Sequence, residues 1–137
     1  MTQICLLLLF VAQSLDTVRT NPDAEKRYQQ SFDVASRALD DARAALKESK
    51  SSDVKKFLDE AADASEFGLK SLQAMGKEPY KNTKNYKKAE LRTREMLRRV
   101  EALLKDANVD DREALQSAQE RVNAVHEKVL EGVMSKK

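Results

Sequence analysis

Tyr28, Phe32, Ala35, Leu39, Ala42 and Leu46 follow one another at spacings of 4, 3, 4, 3 and 4 residues. Alternating steps of three and four keep these side chains on one side of an α-helix, because a turn takes about 3.6 residues. A strand would scatter the same residues over both of its faces. The pattern recurs three more times. Val54, Phe57, Leu58, Ala61, Ala64, Ser65, Gly68, Leu72 and Met75 make a second inner face. Tyr86, Ala89, Thr93, Met96, Val100, Leu103 and Ala107 make a third, widened by Leu97 and Leu104. Leu115, Ala118, Val122, Val125 and Val129 make the fourth. Each segment takes about 22–26 residues, a helix of about 33–39 Å.

Punctuation residues separate the four segments. Asn21 reads as the N-cap of the first helix, with Pro22 at its first position and Asp23 and Glu25 in its first turn. "ESKSSD" interrupts the pattern, and Ser51 or Ser52 can cap the second helix. Gly76 and then Pro79 stop that helix near Met75. "GKEPYKNTKN" is the longest connection, and Asn82 or Thr83 starts the third helix. Asn108 supplies a left-handed end for it. Val109 then precedes Asp110 as N-cap of the fourth, with Glu113 completing a capping box. Gly132 and the polar "SKK" end that helix.

Composition agrees with helices throughout. The 137 residues suit one domain. Charged residues reach 35%, aromatics only 5%, and there are three glycines and two prolines. Helix formers dominate and strand formers are scarce. The expected fold is all-α, an antiparallel up-down four-helix bundle following an N-terminal signal-like segment. Short seams and the reversal at 76–85 favour a closed monomer over a three-helix bundle or long coiled coil that forms a homodimer. From Asp53 to Met75 there are five acids and three bases; from Gly76 to Lys105 there are ten bases and four acids. That contrast is what an antiparallel pair of neighbours, acidic second helix beside basic third, would favour.

The opening "MTQICLLLLFVAQSLD" has an apolar core from Ile4 to Ala12. Nine residues are too few to cross a bilayer, which takes about 20. They fit the apolar region of a secretory signal, and Ala12-Gln13-Ser14 supplies the small-x-small cleavage site. The expectation is a signal peptide at 1–14, a single domain at 15–137, and a periplasmic or secreted location. The mature chain then has no transmembrane segment. Cys5, the only cysteine, precedes the leucines instead of following the small residues, which argues against lipidation. A chain cut after Ser14 has no cysteine, so it has no disulfide, thiol nucleophile or thiolate metal site.

Chemistry finds few footholds. His126 is the only histidine, beside Val125 on the fourth seam. A histidine and a methionine on different helices hold haem in b-type cytochromes of bundle architecture, but the first helix here has no methionine and the chain has no CxxCH. One histidine cannot supply the paired Glu-x-x-His motifs of a di-iron bundle. His126 therefore reads as a half-buried flank residue, hydrogen-bonded to Asn123 or Glu127. No cofactor and no metal is expected. No second histidine, Gly-x-Ser-x-Gly elbow or glycine-rich phosphate loop supports catalysis, so the protein does not read as an enzyme. The alternative function is a carrier of a cofactor or small apolar ligand, using the bundle core and His126. The small residues Ala61, Ala62, Ala64, Ser65 and Gly68 have two readings: close helix packing, which is favoured, or room for such a ligand.

The most asymmetric feature is "KEPYKNTKNYKKAELRTREMLRR". It holds Lys77, Lys81, Lys84, Lys87, Lys88, Arg92 and Arg99, with Arg94 and Arg98 and with Tyr80 and Tyr86 among them. On a helix Lys84, Lys88 and Arg92 share a face with Arg99 near it, while Arg94 and Arg98 point elsewhere. The stretch is a candidate site for an anionic partner, either an envelope protein or an anionic surface. Export argues against nucleic acid.

"VDDREALQSAQERVNAVHEKVLEGVM" resembles the end of a group of small, exported, uncharacterised bacterial helical proteins, through "VDDR", a spaced "RV", then "H" and "GxM" before a basic tail. The resemblance covers about the last 30 residues, and it implies bacterial export and no known activity. Envelope stress chaperones are also small and helical, but their paired Leu-Thr-x-x-Gln motif is missing here.

Overall fold

The computed structural model describes residues 14–136, and helices account for nearly all of them. A short α1, Leu15–Arg19, precedes four long helices: α2 Ala24–Lys47, α3 Ser51–Gln73, α4 Thr83–Asp106 and α5 Val109–Met134. A 3-10 turn at Pro79–Lys81 sits in the longest connection. No strand occurs among the described residues. The apolar segment Ile4–Ala12 and Cys5 lie outside them. Ser14 accepts the Thr17 backbone N–H and caps α1, and Val18 joins the core.

The inner faces are those the periodicity marks. Tyr28, Phe32, Ala35, Leu39 and Ala42 are buried from α2; Val54, Leu58, Ala61, Ala64 and Leu72 from α3. Tyr86, Ala89, Met96 and Val100 from α4 meet Leu115, Ala118, Val122, Val125 and Val129 from α5 in one continuous cluster.

The caps differ in detail. Asp23, not Asn21, is the N-cap of α2, its carboxylate accepting from Glu25 and Lys26, while the Asn21 side chain accepts from Asp23 N–H. Asn108, not Asp110, caps α5 by accepting from Asp111 N–H at 3.0 Å, and its extended backbone replaces the left-handed end expected there. An asparagine two positions earlier starts the helix sooner and satisfies the orphan amide of Asp111. Val109 is left 86% exposed. Gly76 does adopt the left-handed conformation, at φ +73°.

α2 ends in a way the sequence did not announce. Lys50 N–H reaches Ala45 O and Ser49 N–H reaches Leu46 O, a Schellman closure with Ser49 at φ 57°. A β-carbon is costly there and glycine is not. Ser49→Gly therefore raises stability by about 1 kcal/mol, read as a higher midpoint in urea with an unchanged slope.

Two tight hairpins, α2/α3 and α4/α5, pack together. The α2/α3 contact is the most extensive, because alanines on both helices let the backbones approach. Between hairpins, α2 touches α4 and α3 touches α5. Asp33 pairs with Arg92 and Asp40 with Arg99, a step of seven on both helices, so α2 and α4 run in the same direction. One groove joins Ser52 and Asp59 to Asp111 and Ser117, and another joins Glu66 and Gln73 to Arg121 and Glu131, so α3 and α5 are parallel too. α3 and α4 hardly touch. The acidic second and basic third long helices thus lie across the diagonal, not side by side. Each finds its charge partner on another helix. Arg121 of α5 bonds Asp63 and Glu66 of α3 at 2.5 and 2.6 Å, and Arg92 and Arg99 of α4 meet Asp33 and Asp40 of α2. The connection at 74–82 is long because it crosses the end of the fold.

Candidate anion-docking site

The end crossed by that connection, here called the base, gathers the starts of α2 and α4 and the ends of α3 and α5. A buried polar chain fixes the start of α4 within it. The Tyr28 hydroxyl donates to Asn85 Oδ1 at 2.6 Å, and Asn85 Nδ2 donates to Asn82 Oδ1 at 2.9 Å. Asn82 Nδ2 in turn points at the Met75 sulfur, 3.5 Å away. Tyr86, one residue on, lays its ring over Gly132 near the end of α5. The first turns of α4 are thereby held rigidly, with Lys84, Lys87 and Lys88 outward.

Burial pushes the Tyr28 and Tyr86 phenols above their ordinary range. Unfolding releases those protons at lower pH, so the contribution is present below the unfolded pKa of about 10 and is lost as pH rises through the folded value. Chemical denaturation repeated at stepwise higher pH should therefore show stability declining above about pH 10.

The electrostatics of this helix start are unusual. Its first turn has no acidic residue, and Asn82 makes no side-chain cap bond. Helix N-termini carry a partial positive charge and favour acids; here lysines add to it. Lys77 lies in the connection, Lys81 in the 3-10 turn with its ammonium 5.7 Å from the Tyr80 ring, and Lys84, Lys87 and Lys88 on α4. All five are exposed, and among the described residues no carboxylate lies within 4.0 Å of any of them.

Arg92 and Arg99 leave the candidate site. They turn toward α2: Arg92 lies 2.7 Å from Asp33, and Arg99 donates to Asp40. Parallel packing of α2 and α4 spends both charges on holding the hairpins together. The face expected to join Lys84, Lys88, Arg92 and Arg99 is therefore split. Arg94 and Arg98 lie on the outward side instead, Arg94 bonded to Glu90 and Arg98 to Glu95. Tyr86 is buried and unavailable to a partner. One residue was missed: Lys136 follows α5 at the same end, and the "SKK" tail was its signal.

His126 is half-buried and takes neither expected bond; Asn123 donates to Glu127 instead. Its Nε2 is buried without a hydrogen-bond partner, 3.6 Å from Glu90 Oε1. Glu90 is itself buried and held by Arg94. The imidazole thus faces a carboxylate–guanidinium pair between α4 and α5. The small residues of α3 are closely packed: a β-carbon at Gly68 would lie 2.8 Å from Phe32 Cε1, so that ring fills the space an apolar ligand would need. No group of three or more potential metal-ligating side chains occurs among the described residues, and none of their helices is long and apolar enough to cross a membrane.

These features define an all-helical protein with one hydrophobic core, in which Arg92, Arg99 and Arg121 pair with carboxylates across helices while the lysines at the start of α4 face out. The chain belongs to the family described as a protein of unknown function, DUF2524, which matches residues 48–130. That span runs from the start of the α2/α3 turn to the last turns of α5 and includes the lysine-bearing start of α4. No curated protein and no solved structure matches the chain.

Proposed function

We propose that the protein is a non-catalytic binding or scaffolding protein of the bacterial envelope that docks to an anionic partner through its base and the outward face of α4. In this reading residues 1–14 are a cleaved signal, and 15–137 form a monomeric, closed up-down bundle in the periplasm or outside the cell. One observation carries the docking: Lys77, Lys81, Lys84, Lys87 and Lys88 are exposed without acidic partners around a helix start that already repels cations. Such an arrangement costs stability through self-repulsion, and a bound anion would offset that cost. The carrier reading, with His126 as ligand, has less support, because His126 Nε2 faces Glu90 and Phe32 occupies the gap above Gly68.

Binding to immobilised heparin, a generic polyanion, tests the docking. The wild type should elute at high salt, since lysine–anion contacts shorter than the Debye length of about 8 Å survive physiological ionic strength and are screened only as salt rises further. The Lys77→Gln, Lys84→Gln, Lys87→Gln, Lys88→Gln variant should elute near physiological salt, with unchanged helicity and a melting temperature no lower than that of the wild type, because the self-repulsion is relieved. Equal retention of the two proteins would defeat the proposal. Export is tested separately, by the intact mass from fractionated native cells. A chain beginning at Leu15 in the periplasmic or secreted fraction supports it, and a full-length cytosolic chain overturns it.

A further inference from the structure

We propose that the anionic partner is a lipid surface, and that α4 lies along it with Leu91 entering the interface; this rests on the docking reading above and names its partner. Leu91 is one of the few large apolar side chains left exposed, at 58%. It lies seven residues after Lys84, four after Lys87 and three after Lys88. Those intervals put all four side chains on one face of a helix. Arg94 and Arg98 stand three and seven residues beyond, each paired with a carboxylate of α4, so the unpaired positive charge beside Leu91 is that of the three lysines. The packing of α4 confirms the direction: Tyr86, Ala89, Thr93, Met96 and Val100 are buried, and Leu91 is central to the opposite side. An apolar residue ringed by basic ones is thus presented to solvent.

The choice of cation points to lipid. Arginine recognises a fixed carboxylate or phosphate with two parallel bonds, whereas lysine is a compact, hydrated point charge on a flexible stem. Here Arg92, Arg94, Arg99 and Arg121 are engaged with carboxylates of the fold, and the free cations of the base are all lysines. Flexible ammonium groups suit a diffuse, laterally mobile layer of headgroup charge, and their stems can lie along the apolar boundary. A soluble polyanion offers Leu91 nothing to enter. A protein interface of stable size needs an apolar core of several residues, and this face has one. The acids of the base are Glu78 in the connection, Asp23 and Glu25 at the start of α2 and Glu131 at the end of α5, while Glu95 on α4 is paired with Arg98 at 3.2 Å.

The test uses the full chain, which has no tryptophan. A Leu91→Trp variant then reports the depth of that one position. A Val109→Trp variant reports the opposite end of the fold, at the start of α5. Both are mixed with phosphatidylcholine vesicles containing or lacking 30% phosphatidylglycerol, and with heparin in parallel. The expected result is a blue shift and quenching by brominated lipid for Leu91→Trp, on anionic vesicles only, with Val109→Trp unchanged. Adding Lys84→Gln, Lys87→Gln and Lys88→Gln should lower vesicle partitioning about 100-fold, each lysine near the surface counting roughly five-fold. Leu91→Ser in the otherwise wild-type chain should weaken vesicle binding and leave heparin binding as it was. Heparin binding without a shift at position 91 on vesicles removes the lipid and leaves the anionic site. Binding to neither removes both. Equal quenching at 91 and 109, or vesicle binding indifferent to the lysines, overturns the lipid proposal by placing the contact elsewhere.

Discussion

Replacing Phe32 by alanine lowers the stability by about 3–5 kcal/mol. Phe32 has no exposed surface. Its ring stands edge-on to Tyr28 at 6.1 Å between centroids and fills the space above Gly68 on α3. Removing it deletes the contacts of a whole ring at the most extensive helix pair of the fold. The surrounding residues can collapse little, since the neighbouring positions of α2 and α3 are already alanine or glycine. A domain of this size has about 5–15 kcal/mol in all, so the variant forfeits a large share of it. Equilibrium unfolding in urea should show the midpoint falling sharply. A cost under about 1 kcal/mol, the range of surface changes, would mean that α2 and α3 do not meet as described. The residual cavity offers a second reading: if the loss comes from an unfilled void, Gly68→Ala in the Phe32→Ala background should recover part of it, although the same change in the wild type is unfavourable.

Gly132→Ala is the second large effect, about 3 kcal/mol and destabilising. A β-carbon at Gly132 would overlap the Tyr86 ring, reaching 3.0 Å from Cγ and closer still to the ring edge. Tyr86 cannot swing aside, because it is buried beside the Tyr28–Asn85–Asn82 chain that fixes the start of α4. The helices must separate at the base or the ring must leave the core. The intrinsic preference of a helix for alanine over glycine, about 1 kcal/mol, acts in the opposite direction, so the sign of the result tests the contact itself. The Tyr86→Leu, Gly132→Ala double variant should be more stable than the sum of the two single losses implies, as neighbours in contact are not additive. An unchanged melting temperature for Gly132→Ala would show that α4 and α5 do not approach this closely.

Both predictions concern an aromatic ring seated on a glycine whose purpose sequence alone left undecided. Gly132 read as the end of a helix, and it is a seat for Tyr86. Gly68 read either as a close-packing residue or as room for a ligand, and Phe32 decides between them. The basic stretch was legible as a feature and misjudged in its geometry. Arg92 and Arg99 looked like part of one positive face because they share a helix with the lysines. They belong to the α2/α4 contact, and a signal for that was present: Asp33 and Asp40 repeat the seven-residue interval of Arg92 and Arg99. Leu91 was passed over because it lies off the buried seam, and an off-seam leucine is informative only once the inward side of its helix is known.

What the sequence by itself determined is the set of helices and the side each turns inward. Those follow from local steric periodicity and from punctuation by Gly76, Pro79 and capping residues, all of which act within a few residues of chain. Which helices are neighbours was decided only by tertiary packing. An apolar stripe requires that a helix be covered but does not say by what, and four similar stripes can be arranged in more than one order. The volumes of Phe32 and Tyr86 against Gly68 and Gly132, with two aspartates matched in register to two arginines, place α4 beside α2 and α5 and across from α3. That placement engages Arg92 and Arg99 and leaves the lysines of the base and Leu91 facing outward.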